Sequence, residues 1–233
     1  MGGGMSIEMW LAEDENAASR SELQRTVFDE FAWEPALDAS DIAVEVEDHA
    51  VTLSGAVKSY PEKVAAHRAA KRVRGVQVVR NCLAVVLPAS DQRSDREIAL
   101  AVVQVLTSDV LVPHDAVRAT VAGGWVELEG QVRLDAERRE AGAAVQRLVG
   151  VKGVANGIHI KPATPPADLK ARVTAALHRC AGLRGDHIEV ETGDGAVLLH
   201  GRVRSLAERD EAEQAVWALP GVNSVRDALQ VER

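Results

Sequence analysis

Residues 51–57 read Val-Thr-Leu-Ser-Gly-Ala-Val, and the same pattern of valine, leucine, glycine and valine at alternate positions returns at residues 126–132 and 197–203. Alternation of apolar residues with polar or small ones predicts a β-strand that buries one face. A glycine within the apolar series indicates that another element passes close to the strand where the side chain is missing. We expect a helix to pack over each of these glycines, which are Gly55, Gly130 and Gly201.

The chain repeats around this pattern. A second glycine, followed by valine, stands twenty residues after each first glycine, and these are Gly75, Gly150 and Gly221. The segments 23–83, 98–158 and 169–229 align without a gap, and eleven positions are identical in all three. A repeat of roughly 70 residues is longer than the unit of a solenoid, so each copy is predicted to be a domain.

The repeats divide the chain into an N-terminal segment and three domains. Residues 1–20 contain four acidic residues and one basic residue, and they are predicted to form a flexible segment. Two linkers separate the copies, and the second, with three prolines in residues 161–167, is expected to be extended. The predicted domains span residues 21–88, 94–162 and 167–233.

Each copy shows the same order of predicted elements. Apolar residues at helical spacing, such as Ile98, Val102 and Leu106, predict a first helix. Two alternating runs around turn residues, such as Gly123-Gly124, then predict a β-hairpin. A second helical stripe ends at the second glycine, where a helix C-terminus favours this residue, and a last apolar run predicts a third strand. The predicted fold is α+β, with three tandem α-β-β-α-β two-layer sandwiches.

The composition is that of an ordinary globular protein with small aliphatic cores. Of the 233 residues, 46% are hydrophobic but only 3% are aromatic. The formal net charge of −8 argues against nucleic acid as a partner, since phosphate contacts need a basic surface. No apolar stretch approaches the length of a membrane span, and the first residues do not resemble a signal peptide, so a cytoplasmic location is expected.

These features together resemble the BON domain, named for bacterial OsmY and nodulation proteins. The resemblance rests on the α-β-β-α-β order, the Leu-x-Gly-x-Val strand, the helix-ending Gly-Val, and the Val-x-Asn that ends at Asn81 and Asn156. The third copy has Asp227 at the asparagine position. The resemblance covers nearly all of residues 21–233, and it implies a phospholipid-interacting module with a role in stress.

The residues that could carry catalysis have a structural interpretation. Glu62 and Glu208 each follow a serine by three positions, as in an S-x-x-E capping box, while Glu137 follows Leu134. None of the seven histidines recurs at one position in all copies, and the two cysteines form no metal-binding pattern. We therefore expect no enzymatic activity, no metal and no cofactor.

Basic and aromatic residues near the second helices are the candidates for binding lipid or a partner protein. Cations flanked by tryptophan suit a membrane interface, although most such clusters are simply solvated. The predicted binding residues are Lys71, Arg72, Arg74, Arg138, Arg139, Trp125 and Trp217.

The sequence leaves three functions open. The first is a non-enzymatic binding protein that associates peripherally with phospholipid or envelope components under stress, including osmotic stress. The second is a cytoplasmic sensor of an ion or small ligand, with Asp186, Glu189, Glu191 and Asp194 as hard oxygen ligands. The third is a scaffold, in which the copies pack into a pseudo-symmetric body or bind proteins through sheet edges. The oligomeric state is left undetermined.

Overall fold

The computed structural model describes residues 21–180, 183 and 187–232. The predicted flexible segment 1–20 and the candidate ligand Asp186 lie outside these residues. Domain 1 begins with helix α1, described over residues 21–32. It continues with β1 (Ile42–Glu47), β2 (Ala50–Val57), α2 (Tyr60–Arg72), β3 (Val78–Asn81) and β4 (Ala84–Val85).

Domains 2 and 3 have the same order of elements. Domain 2 consists of α3 (Asp95–Ser108), β5 (Val117–Ala122), β6 (Trp125–Val132), α4 (Asp135–Gln146) and β7 (Gly153–Ile160). A short 3-10 helix precedes it at Ala89–Asp91, and another lies between α3 and β5 at His114–Ala116. Domain 3 consists of α5 (Leu169–Arg179), β8 (Ile188–Gly193), β9 (Ala196–Val203), α6 (Leu206–Trp217) and β10 (Ser224–Val231). The structure confirms the α+β class and the three α-β-β-α-β copies.

Each domain has its own sheet, with the middle strand of the copy at its centre. In domain 2, β5 and β6 are antiparallel and β7 lies parallel to β6, and domain 3 repeats this arrangement. The predicted turns take left-handed conformations, at Asp48 and His49 in domain 1 and at Asp194 in domain 3. The two helices cover one face of the sheet, and each domain encloses a separate aliphatic core.

The first glycine of each copy is close to backbone, not to a helix. A Cβ atom on Gly130 would lie 2.0 Å from the carbonyl oxygen of Ala116, which directly precedes the first strand of the copy. Gly55 and Gly201 face Asp41 and His187 in the same way. The expectation that a helix packs over these glycines is therefore wrong. The second glycines, Gly75, Gly150 and Gly221, have the positive φ that favours glycine, but they lie three to four residues beyond the last residues of α2, α4 and α6. The prediction that they end the helices is therefore wrong in position: each glycine ends the turn that follows its helix.

The shared glutamates cap the second helices. The Glu62 amide donates to the Ser59 hydroxyl at 3.3 Å, and the Glu62 carboxylate accepts from the Lys58 amide at 3.2 Å. Glu208 makes the same bonds with Ser205 and Arg204. In domain 2, where leucine cannot cap, the Glu137 carboxylate accepts from the amides of residues 133 and 134. The structural interpretation of these glutamates is confirmed.

The third strand of each copy lies at the edge of its sheet and contains the Val-x-Asn motif or, in domain 3, its aspartate counterpart. The strand pairs with the middle strand in an unbroken parallel register, as from Trp125 opposite Gly153 to Val132 opposite Ile160 in domain 2. In domain 1, Asn81 is the last residue of β3; its Oδ1 accepts from the Leu83 amide at 3.2 Å and its Nδ2 donates to the Lys63 carbonyl at 2.9 Å. The asparagine thus ties the edge strand to the second helix.

Candidate functional site

The second helix of each domain contacts the next domain in cyclic order. Leu206 of α6 is buried in the core of domain 1, while Tyr60 of α2 packs against the core of domain 2. Between domains 2 and 3, the Arg138 guanidinium lies 5.3 Å from the centre of the Trp217 ring. The three contacts involve corresponding parts of the repeat, so the domains form a pseudo-threefold arrangement.

Four of the five predicted basic residues have carboxylate partners. Lys71 Nζ lies 2.5 Å from Asp210 Oδ2 in domain 3, and Arg72 pairs with Glu30 and Glu34 of α1. Arg138 and Arg139 both contact Asp135, whose side chain is 1% exposed at the start of α4. Arg139 also donates to Gln214 at 3.0 Å. These cations hold helices and domains together, and the fifth, Arg74, is exposed.

The two predicted tryptophans lie in different settings. Trp217 is partly buried, donates from Nε1 to Glu213 at 3.2 Å, and carries the Arg138 guanidinium on its ring. Trp125 is 56% exposed and lies against Gly153, whose missing side chain makes room for the ring. The structure thus brings four of the seven predicted residues together around α6, which are Lys71, Arg138, Arg139 and Trp217, while Trp125 lies apart from them in domain 2.

An exposed apolar surface that sequence reasoning misses lies on domain 2. It consists of Leu100, Val103, Val110 and Leu111, here named the α3 surface, and Val110 is 99% exposed. The repeat alignment contains the signal for it. The positions of Leu100 and Val103 are occupied by Arg25 and Phe28 in the first copy, and by alanine and threonine in the third. Residues 98–108 contain no charged side chain.

Hydrogen bonds hold the turn that carries Val110 and Leu111. The Asp109 amide donates to the Val105 carbonyl at 3.2 Å, which ends α3, and the Asp109 carboxylate accepts from the Leu111 amide at 2.9 Å. Val112, which is buried, anchors the far side of the turn in the core. Two apolar side chains are thus presented to solvent by an ordered segment, and this arrangement is typical of a contact surface.

The other end of α3 is tied to the hairpin that carries Trp125. The Asp95 carboxylate accepts from the amides of Gly123 and Gly124, both at 2.8 Å. These bonds lower the pKa of Asp95 below its ordinary value, because they stabilise the charged form. Trp125 follows this turn directly, so an exposed aromatic side chain flanks the helix that carries the α3 surface.

The residues considered as ion ligands do not converge. Over the described residues, no group of three histidine, cysteine, aspartate or glutamate side chains is placed to hold a metal ion. Glu191 lies 3.7 Å from His200, and Asp194 occupies the hairpin turn. No helix among the residues placed by the structure is long and apolar enough to span a bilayer.

His67 lies on α2 at the contact with domain 3. Its Nδ1 atom is buried and has no hydrogen-bond partner among the residues that the structure describes. Burial lowers the pKa of His67 below its ordinary value, and the neighbouring Lys71 and Arg68 lower it further, while Asp210 of α6 acts in the opposite direction. The neutral ring is therefore the form that fits this contact between domains.

Acid is expected to weaken the folded chain through His67. Below about pH 6.5 this histidine binds a proton more readily in the unfolded state than in the folded state, because its pKa is lowered by folding. The free energy of unfolding is therefore highest at neutral pH and falls as the pH decreases. The melting temperature of His67→Gln, measured between about pH 7 and pH 5, should fall less than that of the unmodified chain. The exposed His159→Gln is the control, and equal slopes for the two variants would contradict the prediction.

Comparisons with known proteins identify relatives of the chain and its family. Osmotically-inducible protein Y of Escherichia coli (strain K12) is 30% identical over 139 residues, which cover 52% of this chain and 67% of that protein. Among solved structures, the chain is similar to the type III secretion protein CdsD of Chlamydia trachomatis, with 10% identity, a TM-score of 0.25 and coverage of 91% and 92% of the two chains. The PrgH periplasmic domain has 11% identity, a TM-score of 0.21 and coverage of 88% and 100%.

Three segments match the BON domain, residues 19–86, 94–162 and 166–233. The chain therefore belongs to the BON domain family, as three tandem copies.

Proposed function

We propose that this is a non-enzymatic binding protein that docks on phospholipid surfaces through the α3 surface. The observation that carries the proposal is the exposure of Leu100, Val103, Val110 and Leu111 on an ordered helix and turn. A surface whose four exposed side chains are apolar suits the boundary between headgroups and acyl chains. The phospholipid-binding role implied by the BON resemblance supports the same occupant.

The energetics favour reversible docking. Full burial of an exposed valine or leucine is worth about 1.5–3 kcal/mol, so four such residues can hold the protein at an interface without permanent insertion. The net charge of −8 opposes attraction to anionic lipid, which leaves apolar insertion as the main driving force. We propose Trp125 and Arg74, which are exposed and take part in none of the ion pairs among the described residues, as secondary contacts.

The relative from Escherichia coli is named as osmotically inducible. We propose by analogy that the present protein acts under osmotic stress, when membranes are deformed and peripheral proteins find new binding sites. The cytoplasmic location expected from the sequence stays a prediction.

Co-sedimentation with phospholipid vesicles tests the surface. Val110→Asp should lower binding by about tenfold, because a charged side chain replaces an inserted valine and costs more than about 1.4 kcal/mol. The matched control is Val149→Asp, which changes another exposed valine of domain 2 outside the α3 surface. Equal binding of the two variants would contradict the proposed surface.

The alternative functions have their own tests. An ion sensor should show a melting temperature that shifts in K⁺, Na⁺ or Ca²⁺. A scaffold should self-associate or capture a partner protein, which light scattering over a wide range of concentrations would show.

A further inference from the structure

A groove runs between domain 3 and domain 1, where the end of the edge strand β10 meets the start of the edge strand β3. Its volume is about 820 Å³. Gln77 and Val78 line it at the start of β3, and residues 229–232 line it from the end of β10 and the residue after it. Arg202 and Arg209 complete the lining. The groove does not include the α3 surface, so binding in the groove is independent of the proposed function.

The corresponding place between domains 1 and 2 contains a linker. There the end of the first edge strand, residues 85–87, faces Lys152, which is the counterpart of Gln77 in the repeat. Gln92 and Arg93 of the linker line the crevice, whose volume is only about 330 Å³. A Cβ atom on Gly150 would lie 2.7 Å from Cβ of Arg93, so the linker packs directly on the glycine in the turn after α4.

The second linker shows how such a segment is recognised. Asn223, the counterpart of Gln77 in domain 3, accepts from the Ala163 amide at 2.7 Å and donates to the Ala163 carbonyl at 3.0 Å. Pro165 and Pro166 lie against Gly221, where a Cβ atom would be 3.0 Å and 2.6 Å from them. The side-chain amide of Asn223 thus binds the backbone of an extended segment. The absence of a side chain at Gly221 leaves space for the two prolines of that segment.

We infer that the groove between β3 and β10 binds an extended peptide segment of a partner protein in the manner in which the second linker is bound. Gln77 supplies the same side-chain amide as Asn223, at the same place in the repeat, and can bind one peptide unit through both its N–H and C=O. Gly75 leaves space for a small residue or proline, since a Cβ atom there would have no neighbour closer than 3.9 Å.

The charges at the groove select the sequence of the peptide. Arg209 is engaged by Asp227, but Arg202 is exposed and takes part in none of the ion pairs among the described residues. Glu232 also lines the groove, and its amide donates to the carbonyl of Val203, the residue after Arg202. A peptide with a carboxylate near its bound alanine or proline would place that charge beside Arg202, and we therefore assign the groove to acidic, proline-containing segments.

Fluorescence anisotropy of a labelled synthetic peptide tests the inference on the full chain. One probe has the sequence of the second linker, residues 161–167, and the other has the same sequence with K161E. The K161E probe should bind more tightly than the first. Gln77→Ala should weaken both probes by about tenfold, because two hydrogen bonds to the peptide backbone are lost. Arg202→Gln should remove the preference for the acidic probe.

The control is Arg118→Gln, an exposed arginine on β5 that lies outside the groove. Absence of binding to both probes, or equal binding by Gln77→Ala and the control, would overturn the inference. Self-association of the unmodified chain that Gln77→Ala abolishes would identify a second copy as the occupant, and that result would also overturn it.

Discussion

Gly130→Ala is expected to destabilise domain 2 by about 3 kcal/mol or to prevent its folding. The new Cβ atom would lie 2.0 Å from the Ala116 carbonyl oxygen and 3.1 Å from the Cα atom of Val117. These are backbone atoms at the start of the strand paired with Gly130, so relief requires the strands to separate. The φ angle of +146° adds strain for any residue with a side chain.

Gly123→Ala is the matched control in the same domain. Gly123 also has a positive φ, of +59°, but a Cβ atom at this position would have no neighbour within 4 Å. Its substitution should therefore cost only about 1 kcal/mol, from the backbone conformation alone. Urea unfolding of the full chain measures both changes, and similar midpoints for the two variants would contradict the role of the close approach.

Arg209→Leu is expected to lower the stability of domain 3 by about 3 kcal/mol. In the first two copies, the asparagine of the Val-x-Asn motif donates to a carbonyl of the second helix, from Asn81 to Lys63 and from Asn156 to Arg138. Asp227 cannot donate, and instead Arg209, the counterpart of Lys63 and Arg138, donates from Nε to its carboxylate. Removal of the arginine leaves a nearly buried carboxylate without its cation.

The second substitution Asp227→Asn should restore most of this loss. Asparagine can donate to the carbonyl of residue 209, as its counterparts do in domains 1 and 2, and it needs no cation. Lys63→Leu in domain 1 is the control; it loses the hydrogen bond from Nζ to the Leu83 carbonyl at 2.7 Å, but it should cost only about 1 kcal/mol because Asn81 is neutral. Urea unfolding measures the free energy of unfolding of the single and double variants. If the double variant is no more stable than Arg209→Leu, the ion pair in domain 3 does not replace the asparagine hydrogen bond of the other two domains.

The fold can be predicted because its signals are local and occur three times. Apolar periodicity distinguishes the helices from the strands, and turn residues with positive φ mark the hairpins. The serine–glutamate pairs locate the starts of α2 and α6. The approach of Ala116 to Gly130 cannot be predicted in the same way, since a strand glycine shows only that space is needed and does not identify the group that fills it.

The candidate site is harder to predict, because it depends on contacts between domains. Positive charge at Lys71 is visible in the sequence, but its partner Asp210 is 139 residues away. The apolar residues of the α3 surface are equally hard to recognise, since Val103 lies beside Val102 in a helix whose buried stripe accounts for most of its apolar positions. Only the structure separates the buried members from the exposed ones.

Vesicle flotation of the unmodified chain tests the central claim most directly. Phosphatidylcholine vesicles with and without phosphatidylserine would be compared at low and at physiological salt. Docking through an uncharged apolar surface predicts that the protein floats with both kinds of vesicle and that physiological salt changes the bound fraction little. A chain that remains at the bottom of the gradient under all four conditions would contradict phospholipid binding.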